Sequence, residues 1–397
     1  MEALQRARPA FELGLDLCAF LFLPILVLAS RGAAPLGAAA GICSVCLAAP
    51  RGGIAWRRVR GLALLFGAVL AWGVVSALWA VEPRRSLLIA ARLAGLFAIG
   101  LSLMAAAEEI AAPRRLLQCL AVGLAVALLL AVVQLESNGA LTAHFSRRAF
   151  LDPTLNQSED GFGFVLLPLC AALVSLRRPF AAFALAVAAV TVIFLLAGDA
   201  ARIAFVLGLA FAVAFYRWRR GLARLAAIGS VLLIFSAPLV FPPLAGVSGA
   251  RHDAEAVKFS MWHRLEIWSF VGSRIAEKPL FGWGLDSSRA IPGGSALTPE
   301  GRAWLPLHPH NAALQVWLEL GLPGAIFLAL LTARLWLALG RVDWPPLYAA
   351  AASGSLVTAF IVALGSYGIW QEWLIASEFL TFFLVLVMAR IAMEASE

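Results

Sequence analysis

Charge is scarce in this sequence: Asp, Glu, Lys and Arg make up 14% of its 397 residues, while 62% are hydrophobic and the mean hydropathy is +0.89. A water-soluble domain carries about 25% charged residues, so an ordinary soluble fold is excluded. Cysteine is also rare. The five residues Cys18, Cys43, Cys46, Cys119 and Cys170 all fall in apolar runs, which rules out the disulfide framework of a small secreted domain. Cys43-x-x-Cys46 is flanked by Gly, Ile, Val and Leu rather than by an exposed turn, and it reads as packing, not redox chemistry. No basic face is gathered anywhere. The net charge of +8 and pI near 9.9 come from arginines scattered over many loops, so nucleic-acid binding is not supported. Internal repeats and interrupted spans in both halves, the mark of a transporter or flippase, are not visible either.

What the chain has is apolar length. A bilayer core of roughly 30 Å requires about 20 apolar residues per helix. About twelve such runs are predicted, near 13–30, 33–49, 61–80, 86–107, 115–135, 162–176, 179–197, 201–216, 222–241, 310–337, 346–365 and 370–392. The expected fold is therefore all-α and polytopic. The first run follows Arg6 and Arg8 but is broken early by Glu12 and Asp16, so it reads as a retained anchor rather than a cleaved signal.

Arginine sets the expected orientation, because positive charge accumulates in short cytoplasmic loops. Alternate loops carry Arg6/Arg8, Arg51/Arg57/Arg58/Arg60, Arg114/Arg115, Arg177/Arg178, Arg217/Arg219/Arg220/Arg224 and Arg341, with Arg390 near the end. Both termini are then expected in the cytoplasm. The opposite face receives two longer segments, about 136–161 and about 242–309. Three sections follow: 1–241 with nine spans, 242–309 as an outer loop domain, and 310–397 with three spans.

Within the large loop, Phe241-Pro242-Pro243 ends a span and a polar linker runs through Asp253. Lys258 to Lys278 reads as an amphipathic helix at the membrane interface, with Trp262, Leu265, Trp268, Val271 and Ile275 on one face. Pro279-Leu280-Phe281-Gly282-Trp283-Gly284 has no strand before it, so its Gly-x-Gly reads as two tight turns rather than a nucleotide loop.

The most informative stretch is His308-Pro309-His310-Asn311-Ala312-Ala313-Leu314-Gln315. Pro309 suits the first turn of a helix, which is expected to carry His310 and Asn311 in the same turn. Free N–H groups and the positive dipole end there disfavour imidazolium, leaving His310 neutral and able to act as a general base. Asn311, Gln315 and Glu319 recur at four-residue spacing on an apolar helix, as polar groups facing a cavity do. No carboxylate or cysteine cluster near His308 and His310 completes a metal site, so neither metal nor cofactor is expected. His308 reads as a structural cap or substrate contact. Arg84 and Arg85, on the outer face, are candidates for lipid phosphate. Arg92, inside a span, is expected to face the bundle interior, and Tyr367, Gln371 and Glu372 occupy the last outer turn.

The run His310-Asn311-x-x-Leu314-Gln315-x-x-x-Glu319-x-Gly321-x-x-Gly324, preceded by Pro279-x-x-Gly282-x-Gly284, resembles the signature of the O-antigen ligase and polymerase superfamily of bacterial membrane glycosyltransferases. The resemblance implies an inner-membrane enzyme with a periplasmic site. Such an enzyme moves a glycan from undecaprenyl diphosphate to an acceptor sugar by an inverting, metal-independent route. It also implies that Arg202, in Gly198-Asp199-Ala200-Ala201-Arg202, and Arg264, in the loop helix, hold the diphosphate. Ala201 stands where these ligases carry serine. The first expectation is a ligase acting on a lipid A-core acceptor. The alternatives are a polymerase joining two lipid-linked glycans and a protein O-oligosaccharyltransferase.

Overall fold

Residues 5–49, 56–146, 155–244, 259–299 and 301–396 are described by a computed structural model. The linker through Asp253, Arg51 and the proposed helix start at Lys258 lie outside these described residues. Among those residues twelve helices dominate: α1 (Arg8–Ala29), α2 (Ala33–Ala48), α3 (Trp56–Ser76), α4 (Pro83–Ala106), α5 (Pro113–Glu136), α6 (Leu155–Ser175), α7 (Pro179–Leu195), α8 (Asp199–Val240), α9 (Phe259–Glu277), α10 (Ala312–Arg341), α11 (Pro346–Gly365) and α12 (Glu372–Glu394). The protein is an all-α polytopic membrane protein. Nine continuous helical stretches among the described residues are long and apolar enough to cross a bilayer. One of them holds both α1 and α2, and α7 is a shorter apolar helix.

Helix α8 also counts twice. Its 42 residues would reach about 63 Å if straight, well beyond a bilayer of roughly 40–45 Å. The chain instead turns at Trp218, whose φ of −130° and ψ of 43° leave the helical region. Contacts show a hairpin. In the first arm Thr358 Oγ1 bonds Ala204 O and Gly208 abuts Gly354, while in the second Gly340 abuts Ala223 and Trp317 Nε1 bonds Ile234 O. Arg219 closes the bend by donating to Trp344 O at 3.0 Å and to Val342 O at the end of α10, where helix carbonyls attract a cation. The runs expected at 201–216 and 222–241 are therefore separate crossings, and twelve apolar segments result.

Proline begins many of these segments. Pro83, Pro113, Pro179 and Pro346 each stand in the first turn of a helix, where the missing N–H costs nothing. The largest core joins α1, α2, α5, α6, α7 and α12 around Phe22, Leu26, Phe162, Phe383 and Val387. The outer belt is apolar as well: Phe180 is 88% exposed and Val213 66%, as expected where acyl chains replace water. Side-chain bonds sort the two ends of the bundle. At one end Arg8 bonds Glu109 O, Arg58 pairs with Glu108, and Arg390 bonds Ala107 O. At the other, Arg85 meets Asp286 and the 308–310 turn meets Ser366.

Helix α9 covers that second end. Ile267, Val271 and Ile275 are buried against Leu314, Trp317 and Leu318 of α10, so Ile267 joins the apolar stripe expected from Val271 and Ile275. Trp262 and Leu265 are only half-buried. Trp268 packs on Phe241 with ring centroids 5.0 Å apart and donates Nε1–H to Pro309 O at 2.8 Å.

Candidate active site

The site is built on a break in α10. At Gly321 the backbone takes φ 63° and ψ −153°, so the span expected to run unbroken from 310 to 337 is interrupted. An interrupted helix inside a membrane must rebond its freed backbone groups, and the Pro279–Gly284 turn does this. Trp283 N–H donates to Leu318 O (2.9 Å), Gly284 N–H to Glu319 O (2.8 Å) and Leu322 N–H to Pro279 O (3.0 Å). Trp72 Nε1–H takes Leu320 O at 2.9 Å. A Cβ on Gly282 would lie 2.5 Å from the Glu319 carbonyl, and one on Gly321 2.5 Å from Leu280 O. Both glycines also have left-handed φ. The two halves of the sequence motif are thus one interlocked backbone unit, and Gly-x-Gly is a turn, as its context suggests.

Glu319 is the hub of this unit. Fully buried, it accepts from Asp286 N–H at 2.7 Å, Ser288 Oγ, Gln315 Nε2 at 3.0 Å and Trp370 Nε1 at 2.5 Å. Gln315 is buried too, and its Oε1 accepts from Ile369 N–H at 3.0 Å. Of the sequence-selected polar row, Gln315 and Glu319 spend their hydrogen bonds on the protein. Asn311 does so partly: its Oδ1 caps α10 by accepting from Leu314 N–H at 3.0 Å, while its Nδ2, also buried, has no partner among the described residues.

The histidines precede the helix rather than opening it. Asn311 is the N-cap and Ala312 the first helical residue, which corrects the expectation that Pro309, His310 and Asn311 share the first turn. His310 instead holds φ at 55°, a left-handed backbone uncommon outside glycine, of the kind that concentrates at functional sites. Its Nδ1 lies 2.6 Å from Ser366 O. A carbonyl only accepts, so Nδ1 carries the proton and Nε2 is left as the acceptor. Burial, chiefly, and the charges of Arg264 and His263 lower the His310 pKa from 6.5, against the Ser366 bond that raises it. Burial, rather than the helix dipole invoked from the sequence, is the main cause of that lowering.

His308 stacks at 4.2 Å from His310 and accepts the His310 N–H on Nδ1 at 3.3 Å. Its Nε2 is 3.0 Å from Gln371 Nε2. Burial first, then His310, Arg289 and Arg264, push its pKa down to about 3. A Cβ on Gly368 would touch the His308 ring at 2.9 Å, so the 366–371 connection lies flat along the 308–319 segment.

Arg264 of α9 is half-buried, and its charge acts on His308, His310 and Tyr367. Burial lowers its pKa while Tyr367 and Asp199 raise it. Among the described residues no carboxylate comes within ion-pair distance of it. Arg202, in the first turn of α8, reaches Asp199 Oδ1 at 3.4 Å, Ile193 O at 3.3 Å and Glu159 Oε1 at 4.0 Å. Asp199, paired with Arg202, is also one of the groups that raise the Arg264 pKa. The structure thus gathers His308, His310, Arg264 and Arg202 at one end of the bundle.

Arg84 and Arg85 stand apart. Arg84 is exposed, and Arg85 is bound to Asp286 at 2.6 Å, so it braces the loop beside Glu319. Arg92 is a correction: its side chain is 62% exposed and pairs with Glu372 at 3.1 Å rather than pointing into the bundle. Unaided sequence reading passed over Glu159 and Asp160, although two adjacent carboxylates at the edge of an apolar run were the signal for them.

Residues 164–329 match the family model described as O-antigen ligase. This stretch holds Arg202, Arg264, both histidines and the glycine-locked turn. Over this stretch the chain is similar to the O-antigen ligase family. Two curated Rickettsia relatives, both carrying the name "Putative polysaccharide ligase", agree: one from R. conorii is 35% identical over 36% of this chain, and one from R. bellii is 38% identical over 38%. The chain spans just over a third of the length of each relative it matches, 36% and 39%. Arg84, Tyr367 and Glu372 lie outside the stretch that matches the O-antigen ligase family, whereas the histidine turn and both arginine-bearing helix starts lie inside it.

Proposed function

We propose that this protein is a polysaccharide ligase that transfers a glycan from undecaprenyl diphosphate to a lipid A-core sugar at the periplasmic face of the bacterial inner membrane, with both termini cytoplasmic. The observation that carries the reading is the His310 tautomer: a half-buried imidazole whose Nδ1–H is held by Ser366 O, leaving Nε2 as the acceptor, within reach of the charge of Arg264, an arginine without a carboxylate partner among the described residues. In the reaction the acceptor hydroxyl attacks the anomeric carbon. The new C–O bond forms as the bond to the lipid diphosphate breaks, and the hydroxyl proton passes to Nε2. A base so placed contributes roughly 10²–10⁴ in rate. A single displacement inverts the anomeric centre and needs no metal. Charge growing on the departing diphosphate is met by Arg264 and Arg202, whose planar forks suit phosphate oxygens.

An apolar cavity of about 420 Å³ supports a lipid-linked donor. It is lined by Phe66, Phe97, Val316, Leu331, Trp370 and Phe379 and gives a polyprenyl chain room at membrane depth, with Trp370 at the end nearest Glu319. Arg84, on the same face, suits a lipid headgroup phosphate. The test is turnover by purified protein given lipid-linked glycan together with either lipid A-core or a second lipid-linked glycan. Product on the core supports the ligase. Longer lipid-linked chains would select the polymerase instead, and no product with either acceptor would contradict both.

A further inference from the structure

We propose that Glu159 on α6 is a positioning residue for Arg202. The inference rests on reading that arginine as part of the diphosphate site. Glu159 is 1% exposed in a helix otherwise rich in Phe, Leu, Val and Ala. Burying a carboxylate is costly unless charge and hydrogen bonds compensate it, and Arg202 with the Gly198 N–H supplies both.

Glu159 sits against the start of α8. Its Oε2 accepts Gly198 N–H at 3.0 Å while Oε1 stands 4.0 Å from Arg202 Nε. A Cβ at 198 would lie 2.1 Å from Oε2, so a larger residue there would displace the Glu159 carboxylate. Arg202 is thereby held among Glu159, Asp199 and Ile193 O.

The experiment measures binding of undecaprenyl diphosphate, the leaving group alone, to protein in nanodiscs. Glu159→Gln is compared in wild-type, Arg202→Ala and Arg264→Ala backgrounds. The change is expected to weaken binding about fivefold to twentyfold in wild type, the size of a direct coupling. The effect should vanish in Arg202→Ala but persist in Arg264→Ala. A merely structural role would leave the effect equal in both backgrounds, and that result overturns the proposal, as does the absence of any effect. Glu159→Gln keeps the volume of the side chain, which guards the comparison against misfolding. Wild-type protein that binds no undecaprenyl diphosphate would instead sink the diphosphate reading itself.

Discussion

Replacing Glu319 separates a scaffold role from a substrate contact. Its two oxygens receive four donors: Asp286 N–H and Trp370 Nε1–H on one, Ser288 Oγ and Gln315 Nε2 on the other. In Glu319→Gln the new NH2 would turn toward Ser288, whose hydroxyl rotates to accept it. Gln315 cannot flip in response, because its Oε1 already accepts Ile369 N–H. One buried donor is then left unpaired, for a loss of about 1–3 kcal/mol. Glu319→Ala strands three donors that cannot reorient, so its loss is expected to be at least about 3 kcal/mol, even if water enters the space. The assay is equilibrium unfolding of the purified protein in mixed micelles of rising SDS content, run beside undecaprenyl diphosphate binding. The expected order of stability is wild type, Glu319→Gln, Glu319→Ala. If both variants unfold like wild type yet lose the lipid diphosphate, Glu319 touches substrate and the scaffold argument is refuted.

Gly282→Ala and Gly321→Ala should each lose more than the roughly 1–2 kcal/mol of a left-handed backbone penalty, since each new Cβ also meets backbone at 2.5 Å; Gly67→Ala, with nothing within 4 Å, should unfold at the wild-type SDS fraction. His308 gives a pH signature. Its pKa falls from 6.5 to about 3 on folding, so the unfolded chain binds the extra proton between those values. Stability from this group is complete above pH 6.5 and declines as pH drops, by about 1.4 kcal/mol per unit. The wild-type curve minus that of His308→Gln should show this slope, and parallel curves would contradict it. For turnover, His310 must be neutral. Its lowered pKa places the acid limb of the rate profile below 6.5, and a limb above 7 would argue against it as the base.

Much of the fold was legible because lipid imposes one rule everywhere: about 20 apolar residues per crossing and arginines where the chain emerges. Even the α8 hairpin could be anticipated, since Arg217, Arg219 and Arg220 interrupt the run at the bend. The break at Gly321 was not legible. Its cause is the Pro279–Gly284 turn some forty residues earlier, and periodicity within α10 carries no trace of a partner that far away. The site was half readable. His310, Arg202 and Arg264 are residue types with an obvious phosphate or proton chemistry, but what fixes the His310 tautomer is the Ser366 carbonyl, a backbone atom with no sequence signature. Gln315 and Glu319 looked like cavity-lining groups because their spacing is right. Only the positions of Ser288, Ile369 and Trp370 show that the protein itself takes up their hydrogen bonds. Arg92 failed as an interior residue because its partner, Glu372, sits at the start of α12 and draws it outward.

The central claim is that the free nitrogen of His310 takes the acceptor proton. Single-turnover transfer by His310→Ala, measured with saturating lipid-linked glycan and acceptor, tests it most directly. Transfer should slow by about 10²–10⁴ while undecaprenyl diphosphate binds as tightly as to wild type. Transfer within a few-fold of wild type would contradict it.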